Sequence, residues 1–263
     1  MINLLSSELY KLRKSKSFRI MVILEILFAW FVEAADVILR SEFAAEGMNR
    51  AEYMGRGSTL DVIRQLFANS NAIIYVTIFI CIFVLGDYTG GAIKNYVGKG
   101  YRREEVYLSK FLVAEFGAVL LYLVAAAAAF AGGIVCYGTE QLGGTFYYEF
   151  ISYLSMHILY VTGYTAIIVL VCETIRNMAV GILVSVLGVM LISNALVQGV
   201  DMVMHHFGVD FSLAKYWIVT IMASCPVTDI PGQFITSSGI AAETWLILSL
   251  VLGMLYFSYK DVN

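Results

Sequence analysis

The sequence contains few charged residues, almost no proline and no nucleotide-binding motif. Only 14% of its 263 residues are charged, whereas 60% are hydrophobic. A soluble domain has about 25% charged and about 45–50% apolar residues, so the composition excludes an ordinary soluble protein and indicates a polytopic membrane protein. The two prolines, Pro226 and Pro231, lie in one late loop, so proline interrupts none of the earlier hydrophobic segments.

Other absences exclude whole classes of function. The four cysteines are widely spaced and form no CxxC pair, so we interpret them as small hydrophobic residues rather than a disulfide or metal framework. The adjacent His205 and His206 do not share a helix face, and apart from Asp201 no Cys or carboxylate stands at metal-ligand spacing from them. There is no GxxxxGK[ST] motif. We therefore expect no ATP hydrolysis or other enzymatic activity, no metal or cofactor in this chain, and no nucleic-acid partner.

Six hydrophobic segments are long enough to cross a bilayer, which takes about 20 apolar residues. The predicted spans cover about residues 18–38, 70–87, 111–137, 149–172, 178–199 and 241–258. Residues 2–14 predict an amphipathic helix at the membrane surface. The predicted fold class is therefore an all-α polytopic membrane protein, with residues 1–263 as a single transmembrane domain.

A short apolar segment over 213–225 is the ambiguous part of this topology. It precedes Pro226 and is too short to span a bilayer. We interpret it as a re-entrant or interfacial helix in an outer region over 200–240. Counting it as a seventh span would place the C-terminus outside.

The basic residues predict the orientation of the chain. With six spans and a cytoplasmic N-terminus, 12 of the 17 Lys and Arg residues lie on the inner side and five on the outer side. Basic residues are enriched in cytoplasmic loops. We therefore expect both termini to be cytoplasmic.

The first predicted span carries three acidic residues, Glu25, Glu33 and Asp36. On a helix, Glu25 and Asp36 differ by about 20°, and Glu33 lies about 80° away. Charges within the membrane are functional candidates, so these residues could form an acidic stripe that faces a pathway or a neighbouring subunit. Alternatively, Glu33 and Asp36 lie in the outer headgroup layer and Glu25 pairs with a neighbouring polar group.

The fifth predicted span has a side of small and polar residues. Gly181, Ser185 and Gly188 share a stripe that allows close helix approach. Asn194 and Gln198 are four residues apart and either support this packing or line a wet cavity near the outer face.

A polar segment over 86–110 separates the second and third predicted spans. Its glycines predict bends, and residues 101–112 predict a short helix that runs into the third span. Asp87 and Glu115 lie near its ends and could pair with Lys110 or other basic residues, mainly in a structural role. The segment could also be a solvated basic loop that only sets the topology.

One motif near the N-terminus and three within this segment carry a resemblance to a known family. They are Glu8-Leu9-Tyr10-Lys11-Leu12-Arg13, Gly91-Ala92-Ile93-Lys94-Asn95, Gly100-Tyr101-Arg102-Arg103 and Tyr107-Leu108-Ser109-Lys110. With the six-span layout, the chain resembles the transmembrane permease subunit of type-2 ABC exporters, and in particular lantibiotic-immunity and peptide-toxin exporters. The polar segment lacks the prolines found in many drug-exporting relatives, which leaves the substrate open.

The resemblance implies that residues 91–107 form a coupling helix that contacts a separate cytoplasmic ABC ATPase, which would bind ATP and Mg. The implied coupling residues are Gly91, Ile93, Lys94, Asn95, Tyr101, Arg102, Arg103 and Tyr107.

The resemblance also implies a second, identical or similar permease in the bacterial plasma membrane, surrounded by lipid. A pathway between the two permeases would pass the implied pathway residues Glu25, Glu33, Asp36, Asn194 and Gln198. The expected substrate is an amphipathic peptide or another lipophilic toxin, moved outward.

Two alternatives belong to other functional classes. An ion-coupled secondary transporter could use Glu25 as its ion site, although such carriers often show internal repeats and broken helices. The chain could also be a non-transporting scaffold or sensor subunit. Co-purification with an ATPase would distinguish the first hypothesis from both.

Overall fold

The hydrophobic segments form helices because a backbone in lipid must satisfy its own hydrogen bonds. The computed structural model describes residues 1–45, 58–68, 71–139, 142–209 and 211–259, and this part contains helices and no strand. The helices are α1 (Ile2–Lys14), α2 (Lys16–Ala45), α3 (Thr59–Ala68), α4 (Asn71–Thr89), α5 (Ala92–Gly98), α6 (Arg103–Tyr137), α7 (Phe146–Ile175), α8 (Met178–His206), α9 (Ile218–Ser224) and α10 (Gly232–Tyr259).

Within the described residues, five helices are long and apolar enough to cross a membrane, namely α4, α6, α7, α8 and α10. The 30-residue α2 is more charged because it carries Glu25, Glu33 and Asp36. It nevertheless packs against α6 and reaches as far as Gly132 near the end of that helix. The prediction of an all-α polytopic membrane protein is confirmed, whereas the count of six spans stays a prediction.

Contacts place α1, α5 and the end of α10 on the same side of the bundle. The Ser7 hydroxyl of α1 lies 3.4 Å from the Tyr96 hydroxyl of α5. Arg103, at the start of α6, donates to the backbone carbonyl of Ser258 in α10 at 3.2 Å. We call this the inner side and the opposite end the outer side. That the inner side is cytoplasmic stays a prediction, and Arg50, Arg56 and Lys260 of the charge count lie outside the described residues.

The polar segment differs from its predicted form. A single coupling helix over 91–107 is wrong, because α5 ends at Gly98 and α6 begins at Arg103. Gly91 and Gly100 have φ angles of +67° and +81°, in the left-handed region that glycine adopts without steric cost. These two glycines let the chain turn on either side of α5. As predicted, the helix that follows the turn runs without a break into the third hydrophobic segment.

The outer region also differs from expectation. Helix α8 continues past the predicted end at 199, and α10 begins before 241. Within 213–225 the only helix is the seven-residue α9, which is too short to span a bilayer. Its Ile218 and Met222 are buried because α9 packs on α3 and α7. Helix α9 is thus a short packed helix and not a seventh span.

Helix α8 is the least buried of the five long apolar helices. Its middle part, Val184–Ile192, is a π-helix, a form that is rare and frequently occurs at functional sites. The core of the bundle lies instead among α4, α6 and α7, which all contact one another. Helix α8 therefore presents a long apolar face to its surroundings.

Candidate functional site

A cluster of four charged residues joins three elements on the inner side. Asp87, at the end of α4, is 5% exposed and accepts hydrogen bonds from Lys11 Nζ at 2.8 Å to each oxygen and from Lys110 Nζ at 2.7 Å. A Glu8 oxygen lies 2.6 Å from Lys11 Nζ. We call Glu8, Lys11, Asp87 and Lys110 the inner latch. Its two positive and two negative charges sum to zero, which reduces the cost of burying them.

Tyr88 extends the inner latch to α7. Its hydroxyl donates to the carboxylate of Glu173, near the end of α7. The Lys110 amine lies 5.5 Å and the Arg176 guanidinium 5.2 Å from the centre of the Tyr88 ring, within the range of a cation–π interaction. Charge and aromatic contacts together therefore connect α1, α4, α6 and α7 around the base of the polar segment.

Some of the predicted coupling residues face solvent. Asn95 in α5 and Arg102 in the following turn are exposed, and Tyr101 is half-buried. The side chain of Lys94 lies outside the described part of the structure. Lys99 is also exposed, and sequence reasoning did not select it although it stands in the same basic segment. These exposed groups are available to a partner on the inner side.

Other predicted coupling residues pack inside the protein. Ile93 and Tyr107 are buried, and the Tyr107 side chain fills the space beside Gly253 of α10, where a methyl group would overlap it. Arg103 is half-buried and donates to the Ser258 carbonyl. Ile93 and Tyr107 thus pack within the protomer, and Tyr107 joins α6 to α10. Their contact with an ATPase stays a prediction.

The acidic residues of α2 point into the protomer. Glu25, Glu33 and Asp36 are buried, whereas the exposed side of α2 is apolar and includes Leu27 and Phe31. The protomer therefore does not present these acidic residues to a neighbouring subunit. The stripe lies instead against α4, α6 and the short α3, all of which contact α2.

Glu25 and Asp36 differ in their partners. Asp36 accepts hydrogen bonds from the Tyr137 hydroxyl and from the Gln65 amide, the latter at 3.0 Å. These bonds give Asp36 a structural role at the outer end of α6. Neither carboxyl oxygen of Glu25 has a hydrogen-bond partner among the described residues, although the side chain is completely buried. The expected pairing of Glu25 with a polar neighbour is not found in this part of the chain.

The polar residues on the outer half of α8 hydrogen-bond to each other and to α9. The Asn194 side-chain oxygen accepts from the Thr220 hydroxyl of α9 at 2.8 Å and from Gln198 at 3.3 Å. Gln198 itself is exposed. On the inner half, Gly181 contacts the Leu85 side chain where a methyl group would not fit. Close packing at Gly181 agrees with the predicted small-residue stripe, and Asn194 connects α8 to α9.

Two further polar contacts refine the sequence interpretation. Asp87 pairs with Lys110 as expected, but Glu115 accepts a hydrogen bond from Thr162 at 2.7 Å. In the core, the Tyr122 hydroxyl lies 2.7 Å from His157 Nδ1. Sequence reasoning missed this last pair, because nothing in the local sequence of either helix indicates that the two residues meet.

The sequence that forms the inner latch and the polar segment is similar to that of a known family. A family model described as ABC-2 family transporter protein matches residues 4–194, which include the inner latch, the polar segment and the acidic residues of α2. No curated protein matches the chain significantly. The family model covers well over half of the chain, and members of this family are normally non-enzymatic permeases with the ATPase in a partner subunit. The chain therefore belongs to the ABC-2 transporter family and is a multi-pass permease of an ABC transporter.

Proposed function

We propose that this permease belongs to a bacterial ATP-driven exporter and that its inner side binds the ATPase through α5 and the turn after it. The observation that carries the proposal is the position of α5 beside the inner latch. Asn95, Lys99 and Arg102 are exposed there, while the chain on both sides of α5 is anchored at Asp87 and Lys110 by their 2.7 Å ion pair.

The anchoring explains how a movement of α5 would reach the membrane helices. The pair between Asp87 and Lys110 connects α4 to α6, so a displacement of α5 moves both helices together. The packing of Tyr107 on Gly253 extends this rigid connection from α6 to α10. A permease without its own energy source needs such a rigid element, because closure of the partner must be converted into a shift of packed helices.

The proposed export pathway forms between two copies of the permease or between this chain and a similar one. The apolar sides of α2 and α8 support this assembly, since Leu27, Phe31, Leu187, Leu191 and Leu196 are all exposed in the protomer. Apolar patches of this kind mark membrane or protein contact sites. The transported molecule is an amphipathic peptide or another lipophilic toxin, and both termini lie in the cytoplasm.

The experiment that tests ATPase binding uses the exposed basic residues. Arg102→Glu and Lys99→Glu should each lower the amount of ATPase that co-purifies with the permease, by at least about tenfold in the double variant, because the charge reversal repels a complementary surface. Lys215→Glu is the matched control, since Lys215 is also exposed but lies in the loop after α8 on the outer side. Normal co-purification and ATP-dependent transport by the double variant would show that this surface does not bind the ATPase.

A second candidate function has one observation in its favour. Glu25 is a buried carboxyl group without a hydrogen-bond partner among the described residues, as expected for an ion site in a secondary transporter. Transport that stops when the proton and sodium gradients are collapsed, and that Glu25→Gln also abolishes, would support this candidate. Transport that continues with ATP alone would exclude it.

A further inference from the structure

A cavity of about 330 Å³ opens between the outer halves of α2 and α6. The residues that define its character are Trp30, Glu33, Gly132, Val135 and Cys136. Trp30 and Val135 are 53% and 85% exposed, so the mouth of the cavity lies on the apolar lateral surface of the bundle. The volume is at the lower end of the range for small-molecule sites, about 300–1,000 Å³.

Glu33 lies at the base of this cavity in a niche formed by glycine. Its side chain is 2% exposed, and its carboxylate occupies the space that a methyl group on Gly132 would fill. One carboxylate oxygen, Oε1, has no hydrogen-bond partner among the described residues. A buried charge is costly unless it is paired. The carboxylate is thus held next to an open cavity with part of its hydrogen-bonding capacity unused.

The remaining lining restricts what the cavity can bind. Its side chains other than Glu33 are small, apolar or aromatic, and none of them is basic. An anion would find no basic partner, and a neutral polar molecule could donate a hydrogen bond to Glu33 but would not offset its charge. A cation with an apolar body would pair with Glu33 and contact Trp30, whose indole face attracts cations. An amine-bearing lipid headgroup is disfavoured because its phosphate would have no basic partner in the lining.

We propose that this cavity binds a lipophilic ammonium ion, with the cationic nitrogen at Glu33 and the apolar body against Trp30 and Val135. The ligand enters laterally, since the mouth faces the apolar surface of the bundle. The cavity thereby assigns a chemical class to the transported molecule, namely a lipophilic cation. This last identification rests on the proposed export function, whereas the binding site itself does not.

Binding is measured on the purified permease in nanodiscs of phosphatidylcholine and phosphatidylglycerol. The probe is benzyltrimethylammonium, and its neutral isostere neopentylbenzene is the matched control ligand. Trp217→Phe and Trp245→Phe leave Trp30 as the single tryptophan, so that its fluorescence reports occupancy of this cavity. The ammonium ion should quench or shift the fluorescence saturably, and the neutral isostere should bind at least about tenfold more weakly, because it lacks the charge that pairs with Glu33.

Two variants test the assigned geometry. Glu33→Gln should weaken binding of the ammonium ion by at least about tenfold, since it removes the charge. Gly132→Ala keeps the charge but fills the niche, so it should weaken binding as well. Asp229→Asn, which neutralises an exposed acid in the loop between α9 and α10, should leave binding unchanged. Size-exclusion profiles check folding, and Gly132→Ala serves as the test if Glu33→Gln does not fold.

The proposal is overturned if the wild-type chain binds both probes equally, or if Glu33→Gln and Gly132→Ala bind within about twofold of wild type. Competition by phosphatidylethanolamine in the nanodisc would assign the site to a lipid amine and overturn its assignment to the transported molecule. The assay contains no ATPase. A negative result therefore leaves the proposed ATPase contact intact, and loss of that contact would leave cation binding unaffected.

Discussion

Replacing Asp87 by Asn tests the inner latch most directly. Asp87 is the carboxylate that Lys11 and Lys110 share, at 2.7–2.8 Å. Asn is similar in size and still accepts hydrogen bonds, but it carries no charge. The cluster would change from neutral to a net charge of +1, and Lys110, which is completely buried, would lose its paired carboxylate.

The expected cost follows from the burial of this pair. Removing one partner of a buried ion pair destabilises a protein by about 3–5 kcal/mol, because the other charge remains buried and uncompensated. Glu8 near Lys11 and the Tyr88 ring near Lys110 favour the lower end of that range, about 3 kcal/mol. At about 2–4 °C per kcal/mol for a chain of this size, the unfolding midpoint should fall by about 6–12 °C.

The assay is thermal unfolding of the purified permease in detergent, followed by tryptophan fluorescence. Lys110→Met removes the buried cation and leaves a side chain of similar volume, so the double variant Asp87→Asn/Lys110→Met should regain most of the loss. Asp229→Asn is the matched control. It neutralises an exposed Asp and should change stability by less than about 0.5 kcal/mol.

Two outcomes would refute this account of the latch. One is an Asp87→Asn variant whose midpoint lies within about 1 °C of wild type. The other is a double variant that is no more stable than Asp87→Asn alone, because the buried cation would then not be the source of the loss. Either result would mean that the ion pair does not stabilise the connection between α4 and α6.

Three further predictions concern one packing contact and two sets of hydrogen bonds. Gly253→Ala should destabilise the permease by about 1–3 kcal/mol through overlap with Tyr107, and Tyr107→Leu in the same chain should restore part of the thermal midpoint. Tyr122→Phe should cost about 1–3 kcal/mol, because it removes the hydroxyl paired with His157; an unchanged midpoint would contradict this. Asp201→Ala should speed proteolysis of the outer loop, whose backbone amides donate to Asp201, and equal cleavage rates would show that these bonds do not order the loop.

Local sequence was sufficient to predict most helices. Long apolar runs form helices because lipid offers no hydrogen bonds to the backbone, and the described helices α4, α6, α7, α8 and α10 occupy the expected segments. The entry of the polar segment into α6 was also predicted. The bends at its glycines were predicted as well, but the exact ends of the helices on either side of Gly100 were not, because a glycine permits a positive φ angle but does not require one.

The faces of the helices were harder to predict. Helical periodicity placed Glu25 and Asp36 on one side of α2, but periodicity cannot say whether that side faces the core or a partner. The structure buries both residues and exposes the apolar side. The burial of Tyr107 was not foreseen for the same reason, since Gly253, the residue that accommodates its ring, is remote in sequence.

The sequence by itself determined the class of the protein, its family and the segments that form helices. These depend on composition and on short motifs, which local chemistry controls. Only the tertiary structure decided that Lys11 and Lys110 share Asp87, and that Glu33 lies on Gly132 beside a cavity. Such contacts join helices far apart in the chain, and they follow from how side-chain volumes fit together rather than from any local pattern.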